Sequence, residues 1–300
     1  MGIDLKLNGH QNEVNCIAYN PHFPKELATG GMDETIILWD LEKGNKKKMI
    51  NTNNIIYALV YSPYVKGELF SAGSDKTIKI WDTSSGNNKR TFKGHVGAIK
   101  CLSFNNRCED EIASAGSDHI IIIWDLQSNS CKKKLVGHNG WVEYLSYHPQ
   151  DLNELVSCGA DRVIIVWDVL NNAKKKVIET SDWLKIVVFN PYNSREIISA
   201  GHDKLISFWD LQSGRKKKAL KGHKKEILSL SVNPFDHNEL ASCDWDNTIL
   251  VWNLYNDSIK KSFCGHSYAV NSILYCPHKP NQFSSASSDN SVLVWNLDEK

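Results

Sequence analysis

The sequence has no run of about 18 apolar residues, the length that a helix needs to cross a bilayer. It also has no excess of charge: 35 Lys and Arg residues are balanced by 34 Asp and Glu residues, for a formal net charge of +1. A chain so balanced is not drawn as a whole to nucleic acid or to an anionic membrane, although local patches can act. Met1–His10 lacks a basic-then-apolar leader pattern, so we expect it to belong to the fold.

Motifs of catalysis and metal binding are also missing. No Gly-rich phosphate loop, nucleophile elbow or isolated pair of carboxylates is present in the sequence. The eight cysteines contain no C-x-x-C pair, and most of them lie in apolar segments. We therefore expect small buried cysteines in a reducing compartment, the cytoplasm or the nucleus, and neither disulfides nor zinc. The sequence predicts no enzyme, no cofactor and no metal site.

One unit, repeated seven times, fills the chain. Trp followed by Asp or Asn recurs at spacings of 42 or 43 residues. These tryptophans are Trp39, Trp81, Trp124, Trp167, Trp209, Trp252 and Trp295. An Asp stands six residues before each of them, a Ser or Thr stands ten before, and a His preceded by Gly stands 29 before in five copies. Self-similarity at such a period is the signature of a repeat architecture.

Each unit has the pattern of short β-strands. β-Branched runs such as Glu34–Trp39 and Lys76–Trp81 follow a turn, and a proline follows the first strand in six units. Four strands are too few to bury a face alone, so neighbouring units must stack. We therefore predict an all-β fold, a seven-bladed β-propeller in which each blade is a four-stranded antiparallel sheet, in one domain over residues 1–300.

These marks resemble the WD-repeat β-propeller family over essentially the whole chain. The resemblance implies that the His, Ser or Thr, Asp and Trp of one copy form a hydrogen-bonded tetrad. Its acidic members would be Asp33, Asp75, Asp118, Asp161, Asp203, Asp246 and Asp289. We interpret the tetrads as structural, because a buried indole N–H needs an acceptor and an Asp in a tight turn can orient the histidine.

Two copies and the two chain ends depart from the repeat. Thr52 and Thr180 replace the histidine in the second and fifth copies, so we expect incomplete tetrads and looser loops there. Residues 296–300 are too few for a fourth strand in the last copy. Ile3–Leu7 precedes Gly9-His10 as the outer strands precede the other Gly-His pairs. We expect this N-terminal strand to complete the last blade and to close the ring, which removes an open edge.

Three tryptophans lie outside the repeat mark. Trp141 and Trp183 stand three residues after the His position, and Trp245 directly precedes the turn Asp of the sixth copy. The resemblance implies that these positions, and the one five after the His, line the channel mouth on the face called the top. The residue four after the His position is apolar in every copy, and we expect it to be buried. The side chains three and five after the His position therefore point to the opposite side of the strand. The predicted partner-binding residues are Trp141, Trp183, Trp245, Glu143, Glu226, His202, Tyr57 and Lys185.

Exposed tryptophans favour a protein-binding site, since a rigid ring gives large contact area for little lost entropy. Rings near carboxylates also suit a cation, so we expect a peptide with a basic or hydrophobic side chain. The alternative is that these indoles pack between blades. On the first interpretation the chain is a non-catalytic scaffold or adaptor that binds other proteins or peptides, as in a multiprotein complex.

Lysine runs follow the Trp-Asp strand in six copies. They are Lys46–Lys48, Lys89-Arg90, Lys132–Lys134, Lys174–Lys176, Arg215–Lys218 and Lys260-Lys261. One interpretation is protection of exposed edge strands against pairing, and acids such as Glu26 and Glu111 in nearby bottom loops favour it. The alternative function is association with nucleic acid or an anionic membrane through this lysine-rich circumference, with an affinity that falls steeply with salt.

Two loops bear on the subfamily. Asn20–Leu27 and Asn233–Leu240 each contain a Pro and end in Glu-Leu, and they resemble loops of histone-binding propellers and of the peroxisomal targeting-signal receptor. Propellers that recruit substrates to cullin ligases commonly carry Arg two positions after Trp-Asp, and no Arg stands there in this sequence. The resemblance leaves the subfamily unresolved.

Overall fold

Strands and tight turns make up the chain. A computed structural model describes residues 2–298, and within them 28 strands form seven four-stranded antiparallel sheets with no helix. Strands that follow one another in the sequence are neighbours in six of the sheets, as short turns between β-branched runs require. The predicted all-β fold of seven four-stranded blades is confirmed.

The strands follow the repeats. The first strand, β1, is Ile3–Asn8. Blade one contains β2 (Val14–Tyr19), β3 (Glu26–Gly31), β4 (Thr35–Asp40) and β5 (Asn45–Asn51). Blade two contains β6 (Ile56–Tyr61), β7 (Glu68–Gly73), β8 (Thr77–Asp82) and β9 (Asn88–Lys93). Blade three contains β10 (Ile99–Phe104), β11 (Glu111–Gly116), β12 (Ile120–Asp125) and β13 (Ser130–Val136).

The remaining blades repeat this order. Blade four contains β14 (Val142–Tyr147), β15 (Glu154–Gly159), β16 (Val163–Asp168) and β17 (Ala173–Glu179). Blade five contains β18 (Leu184–Asn190), β19 (Asn193–Gly201), β20 (Leu205–Asp210) and β21 (Lys216–Lys221). Blade six contains β22 (Ile227–Val232), β23 (Glu239–Asp244), β24 (Thr248–Asn253) and β25 (Ser258–Cys264). Blade seven contains β26 (Val270–Tyr275), β27 (Gln282–Ser287) and β28 (Ser291–Asn296), and β1 is its fourth strand.

The described chain divides into two compact units. Unit one comprises residues 2–71, 79–90 and 222–298, and unit two comprises residues 72–78 and 91–221. Blades one, six and seven lie in unit one, and blades three to five lie in unit two. The single domain over residues 1–300 stays a prediction, and Met1, Glu299 and Lys300 lie outside the described residues.

The N-terminal strand completes blade seven. β1 pairs antiparallel with β28, with Leu7 opposite Val292 and Asn8 opposite Ser291. Leu7 is buried, and it belongs to an apolar cluster that also contains Val14 and Trp39 of blade one. The predicted closure by this strand is confirmed, and it gives β28 a hydrogen-bonding partner along the edge that would otherwise be open.

The core lies between the sheets. The second strand of every blade is buried over its last six residues, because its two faces both meet neighbouring sheets. Small residues such as those of Ala113–Gly116 let the sheets approach. In unit two, one apolar cluster joins blades three and four, and another joins blades four and five. Each of the outer strands β13 and β17 instead has one buried side chain, and most of its other side chains are exposed.

The cysteines are all free thiols in the described part of the chain. Five are buried, as predicted: Cys16, Cys101, Cys158, Cys243 and Cys276. Burial raises the pKa of each of these thiols above its ordinary value. The prediction of burial is wrong for Cys131 and Cys264, because they lie on outer strands, where one face of the sheet meets solvent.

Candidate docking site

Five blades contain a complete tetrad. In blade three, His95 Nδ1 lies 2.7 Å from Asp118 Oδ2, and His95 Nε2 lies 2.7 Å from Ser114 Oγ. The Trp124 indole N–H donates to the same Ser114 hydroxyl over 2.7 Å. Burial raises the pKa of Asp118, but the hydrogen bond and electrostatic attraction of His95, together with the backbone amides of Val96 and Ile120, outweigh it, and the net pKa is lowered. The tetrad fixes the entry loop to a turn and two strands, so we interpret these side chains as structural.

In blade six the acidic member is Asp244, and the prediction of Asp246 is wrong. Asp244 Oδ2 lies 2.7 Å from His223 Nδ1, and the Asp244 carboxylate also accepts the amides of Asp246 and Thr248. At the equivalent position of blade one, a Cβ built on Gly31 would lie 3.3 Å from His10 Nδ1 but 2.5 Å from the Glu13 carbonyl oxygen, so the backbone there must shift to admit a side chain. A side chain there points at the histidine. The side chain of Asp246, two residues later, is exposed.

In the two blades without a tetrad histidine, a threonine binds the entry loop instead. The Thr52 hydroxyl donates to the carbonyl oxygens of Glu34 and Asn54, and the Thr180 hydroxyl donates to those of Arg162 and Asp182. The Trp81 and Trp209 indoles still donate to the Ser of their own blades. Each threonine thus ties its loop to the turn of the preceding blade, and looser loops stay a prediction.

Backbone pairing brings the variable top positions together. In six blades, the amide of the residue before the turn donates to the carbonyl of the residue three after the His position. These pairs are Met32 with Glu13, Ser117 with Ala98, Ala160 with Trp141, His202 with Trp183, Trp245 with Glu226 and Ser288 with Ala269. Residues about 19 positions apart therefore share one place at the top end of each blade.

The alternation predicted at this end is present. The apolar residues four after the His position are at most 2% exposed: Val14, Ile56, Ile99, Val142, Leu184, Ile227 and Val270. Two of their flanks in unit one serve the fold, since the Asn15 amide donates to the Ile56 carbonyl and the Asn271 amide to the Val14 carbonyl. The flanks in unit two include Lys100, Trp141, Glu143, Trp183 and Lys185.

Two of the predicted tryptophans are exposed in unit two. The side chains of Trp141 and Trp183 are 50% and 45% exposed, so neither is packed away between sheets. The Trp183 ring meets His202 edge to face, with centroids 5.3 Å apart and planes at 66°. The Trp183 amide donates to the Asp182 carboxylate over 2.8 Å. These contacts hold one face of the Trp183 ring in place and leave much of it open to solvent.

A row of three charged side chains lies beside these rings. Lys100, Glu143 and Lys185 are the second residues of β10, β14 and β18, the first strands of three adjacent blades. Lys185 Nζ lies 3.3 Å from Glu143 Oε2, and both groups are mostly buried. Lys100 Nζ lies 6.0 Å from the centre of the Trp141 ring. Burial lowers the pKa of Lys100, which the attraction of Glu143 opposes and the repulsion of Lys185 reinforces.

The other predicted site residues lie in unit one. Trp245 is 61% exposed, and its amide donates to the Glu226 carbonyl over 3.0 Å. Tyr57 is half-buried at the second residue of β6. Trp245 and Glu226 thus share the top end of blade six. Trp141, Glu143, Trp183, Lys185 and His202 share the top ends of blades four and five.

The sequence analysis placed acids near the lysine runs but missed that six of them are buried and paired with those lysines. The Glu that begins the six-residue buried segment of the second strand is itself buried in six blades, and it pairs with a lysine of its own outer strand. The pairs are Glu26–Lys47, Glu68–Lys89, Glu111–Lys132, Glu154–Lys175, Glu196–Lys217 and Glu239–Lys260. The expectation that these acids sit in bottom loops is wrong, because the strand register buries them. Their constant spacing of 21 residues from the lysine is the signal that could have shown it.

Neighbouring lysines are also bound within the molecule. Lys133 donates to the carbonyls of Val169 and Leu170, and Lys176 donates to that of Gln212, each on the next blade. In blade seven the donor and the acceptor change places. Gln282 stands at the Glu position, and its amide donates to the Asp4 carboxylate on the outer strand β1 over 3.0 Å. The lysine runs therefore join strands and blades.

No helix in residues 2–298 has the length and apolarity to span a membrane, and no group of three metal-binding side chains occurs there.

Comparison with known families agrees with the repeats. The family model described as "WD domain, G-beta repeat" matches residues 4–40, 46–82, 86–125, 129–168, 214–253 and 257–296. Residues 169–213, which form most of blade five and include Thr180, fall outside these matches but have the same four-stranded sheet. The chain belongs to the WD-repeat family of β-propellers.

Proposed function

We propose that this chain is a protein-interaction scaffold that binds a partner peptide at the top ends of blades four and five. Proteins of the family generally act as scaffolds for other proteins and are typically not catalytic. The observation that carries the proposal is the exposure of Trp141 and Trp183 at equivalent positions of two neighbouring blades. Tryptophan is enriched among the residues that dominate binding energy.

The geometry supports recognition of an extended segment. Trp141 and Trp183 occupy equivalent positions on neighbouring blades, and the Glu143–Lys185 pair joins the strands that follow them. His202 limits the orientation of the Trp183 ring. A ring that is already ordered loses little side-chain entropy when a partner covers it.

The alternative function, nucleic-acid or membrane binding through the lysine runs, has less support. One lysine of each of the six runs is paired with a buried Glu, and others donate to backbone carbonyls. These contacts lower the positive charge available to phosphates.

Affinity capture from a cell extract tests the proposal. The bait is the full chain, compared with a double variant, Trp141→Ala with Trp183→Ala. We expect partners that bind wild type to be lost from the double variant, with thermal unfolding nearly unchanged because both rings are half exposed. A Trp245→Ala variant examines the exposed indole of unit one separately.

Tyr255→Ala is the matched control, because Tyr255 is an aromatic residue that is 87% exposed on the turn between β24 and β25. It should retain all partners. Equal loss of partners in the control and the double variant, or a large loss of stability in the double variant, would reject the proposed site.

A further inference from the structure

The charged row beside the tryptophans has two cations and one anion. Lys100 and Lys185 flank Glu143, and the carboxylate of Glu143 is 15% exposed and already paired with Lys185. The position beside the Trp141 ring, where a partner's cation could lie, is approached by the protein's own Lys100. Although the sequence favours a basic or hydrophobic partner side chain, this arrangement repels a further cation and attracts an anion.

Basic residues also stand in the turns between the second and third strands of blades two to five. The residue after the turn Asp is Lys76, His119, Arg162 and Lys204 in blades two to five, whereas it is Glu34, Asn247 and Asn290 in blades one, six and seven. The side chains of Lys76, Arg162 and Lys204 are exposed.

The aspartates at this end of unit two accept hydrogen bonds from within the protein. Asp118 and Asp161 are bound by His95 and His138, and Asp203 accepts the amide of Leu205. Asp75 likewise accepts the amide of Thr77, and Asp182 accepts that of Trp183. These aspartates are therefore held within the loops, whereas the side chains of Lys76, Arg162 and Lys204 are exposed. Glu179, opposite Val163 at the end of β17, is also exposed and offsets part of this positive charge.

We infer that the docking site of unit two takes an acidic peptide segment, in which a carboxylate side chain pairs with Lys185 and Lys100 and an adjacent apolar side chain packs on Trp183 or Trp141. This inference rests on the proposed function and adds the chemistry of the partner. Because Lys185 is 29% exposed and its partner Glu143 is mostly buried, an incoming carboxylate meets a partly dehydrated ammonium group. The attraction is stronger there than between fully exposed charges.

Fluorescence anisotropy with three short labelled peptides tests the inference. In the first, glutamates flank a leucine; in the second, glutamines replace the glutamates; in the third, lysines replace them. We expect the full chain to bind the glutamate peptide about tenfold more tightly than the glutamine peptide and the lysine peptide most weakly. The preference should decrease as salt is raised.

Two variants assign the effect to the row. Lys185→Glu should reverse the order of the glutamate and lysine peptides. Glu143→Gln, which removes the competing carboxylate, should tighten binding of the glutamate peptide severalfold. Lys43→Glu, an exposed residue on the turn after β4 in unit one, is the charge-matched control and should leave all three affinities unchanged.

The outcomes separate the inference from the proposal it rests on. If all three peptides bind equally and the Trp141→Ala, Trp183→Ala variant weakens them all, the docking site stands and its preference for acid is wrong. If that variant leaves binding of the glutamate peptide unchanged, the tryptophan site itself is wrong. Absence of binding by the glutamate peptide, or tighter binding of the lysine peptide, overturns the inference.

Discussion

At the scale of single residues, the tetrads show that one hydrogen-bonded geometry can be reached from two sequence positions. In blade one the histidine is met by Asp33 from the turn, and in blade six it is met by Asp244 from the end of a strand. The carboxylate of Asp244 is almost fully buried. A buried carboxylate is tolerated only with several donors, and Asp244 has three of them.

The shift of the acidic member predicts unequal effects for two nearby aspartates. Asp244→Ala should lower the free energy of unfolding by about 3 kcal/mol, because it leaves the buried His223 ring and two amides without their acceptor. Asp246→Ala should change it by no more than about 0.5 kcal/mol, because its side chain is exposed. Urea denaturation of both variants checks the difference, and equal losses would restore Asp246 to the tetrad.

The tetrad carboxylates also predict an acid dependence of stability. Burial raises the pKa of Asp33, but hydrogen bonds from His10 and from the Gln11 amide outweigh it and lower the pKa to about 2. Since the folded-state pKa is below the ordinary value of 3.8, the stabilisation is present above about pH 4 and is lost as the pH falls toward 2.

Thermal unfolding between pH 5 and pH 2 tests this dependence. Asp33→Asn should be less stable than wild type at pH 5, by roughly 1–2 kcal/mol, and the gap should narrow as the pH approaches 2. Glu42→Gln, an exposed carboxylate of the same blade, should keep the profile of wild type. A gap that stays constant over this range would contradict the assignment.

At the scale of elements, the outer strands are attached by buried carboxylates as well as by backbone pairing. Glu111, at the start of β11, accepts hydrogen bonds from the Asn105 amide, the Tyr147 hydroxyl of blade four and Lys132 of β13. One side chain therefore joins three strands and two blades. Burial and the neighbouring charge of Glu111 raise the pKa of Tyr147 well above its ordinary value, so it stays a donor.

Removing this carboxylate should destabilise the molecule far more than removing an exposed one. We expect Glu111→Ala to lower the free energy of unfolding by about 3 kcal/mol, since it leaves buried donors unpaired. Glu109→Ala, two residues earlier and exposed, should change it by no more than about 0.5 kcal/mol. Chemical denaturation monitors both, and a small effect of Glu111→Ala would show that backbone pairing alone holds the outer strand.

At the scale of the whole molecule, positive and negative charges are nearly equal in number, and many of them are paired within the blades. The lysines and glutamates that pair in blades one to six contribute little outward field, and the formal net charge is +1. Lys100 and Lys185 stand outside these repeated pairs, and Lys185 pairs with Glu143 of the neighbouring blade. Recognition is then a property of a few positions rather than of the surface as a whole.

This distribution predicts weak binding to polyanions. Single-stranded RNA and vesicles rich in anionic lipid should bind the full chain only at low salt and release it near 0.15 M, a salt concentration at which the screening length is about 8 Å. Electrophoretic mobility shift and vesicle sedimentation measure this. Submicromolar binding at that salt would support the alternative function through the lysine runs.

The sequence by itself determined the number of blades, their strands and the closure by β1, because a 42- or 43-residue period with fixed marks leaves one way to bury every sheet. It also identified the exposed indoles, since they break the repeat. Only the tertiary structure decided that Asp244 replaces Asp246 and that Lys185 pairs with Glu143. Those choices depend on which side chains from distant strands lie within hydrogen-bonding distance, a property of packing that spacing along the chain does not contain.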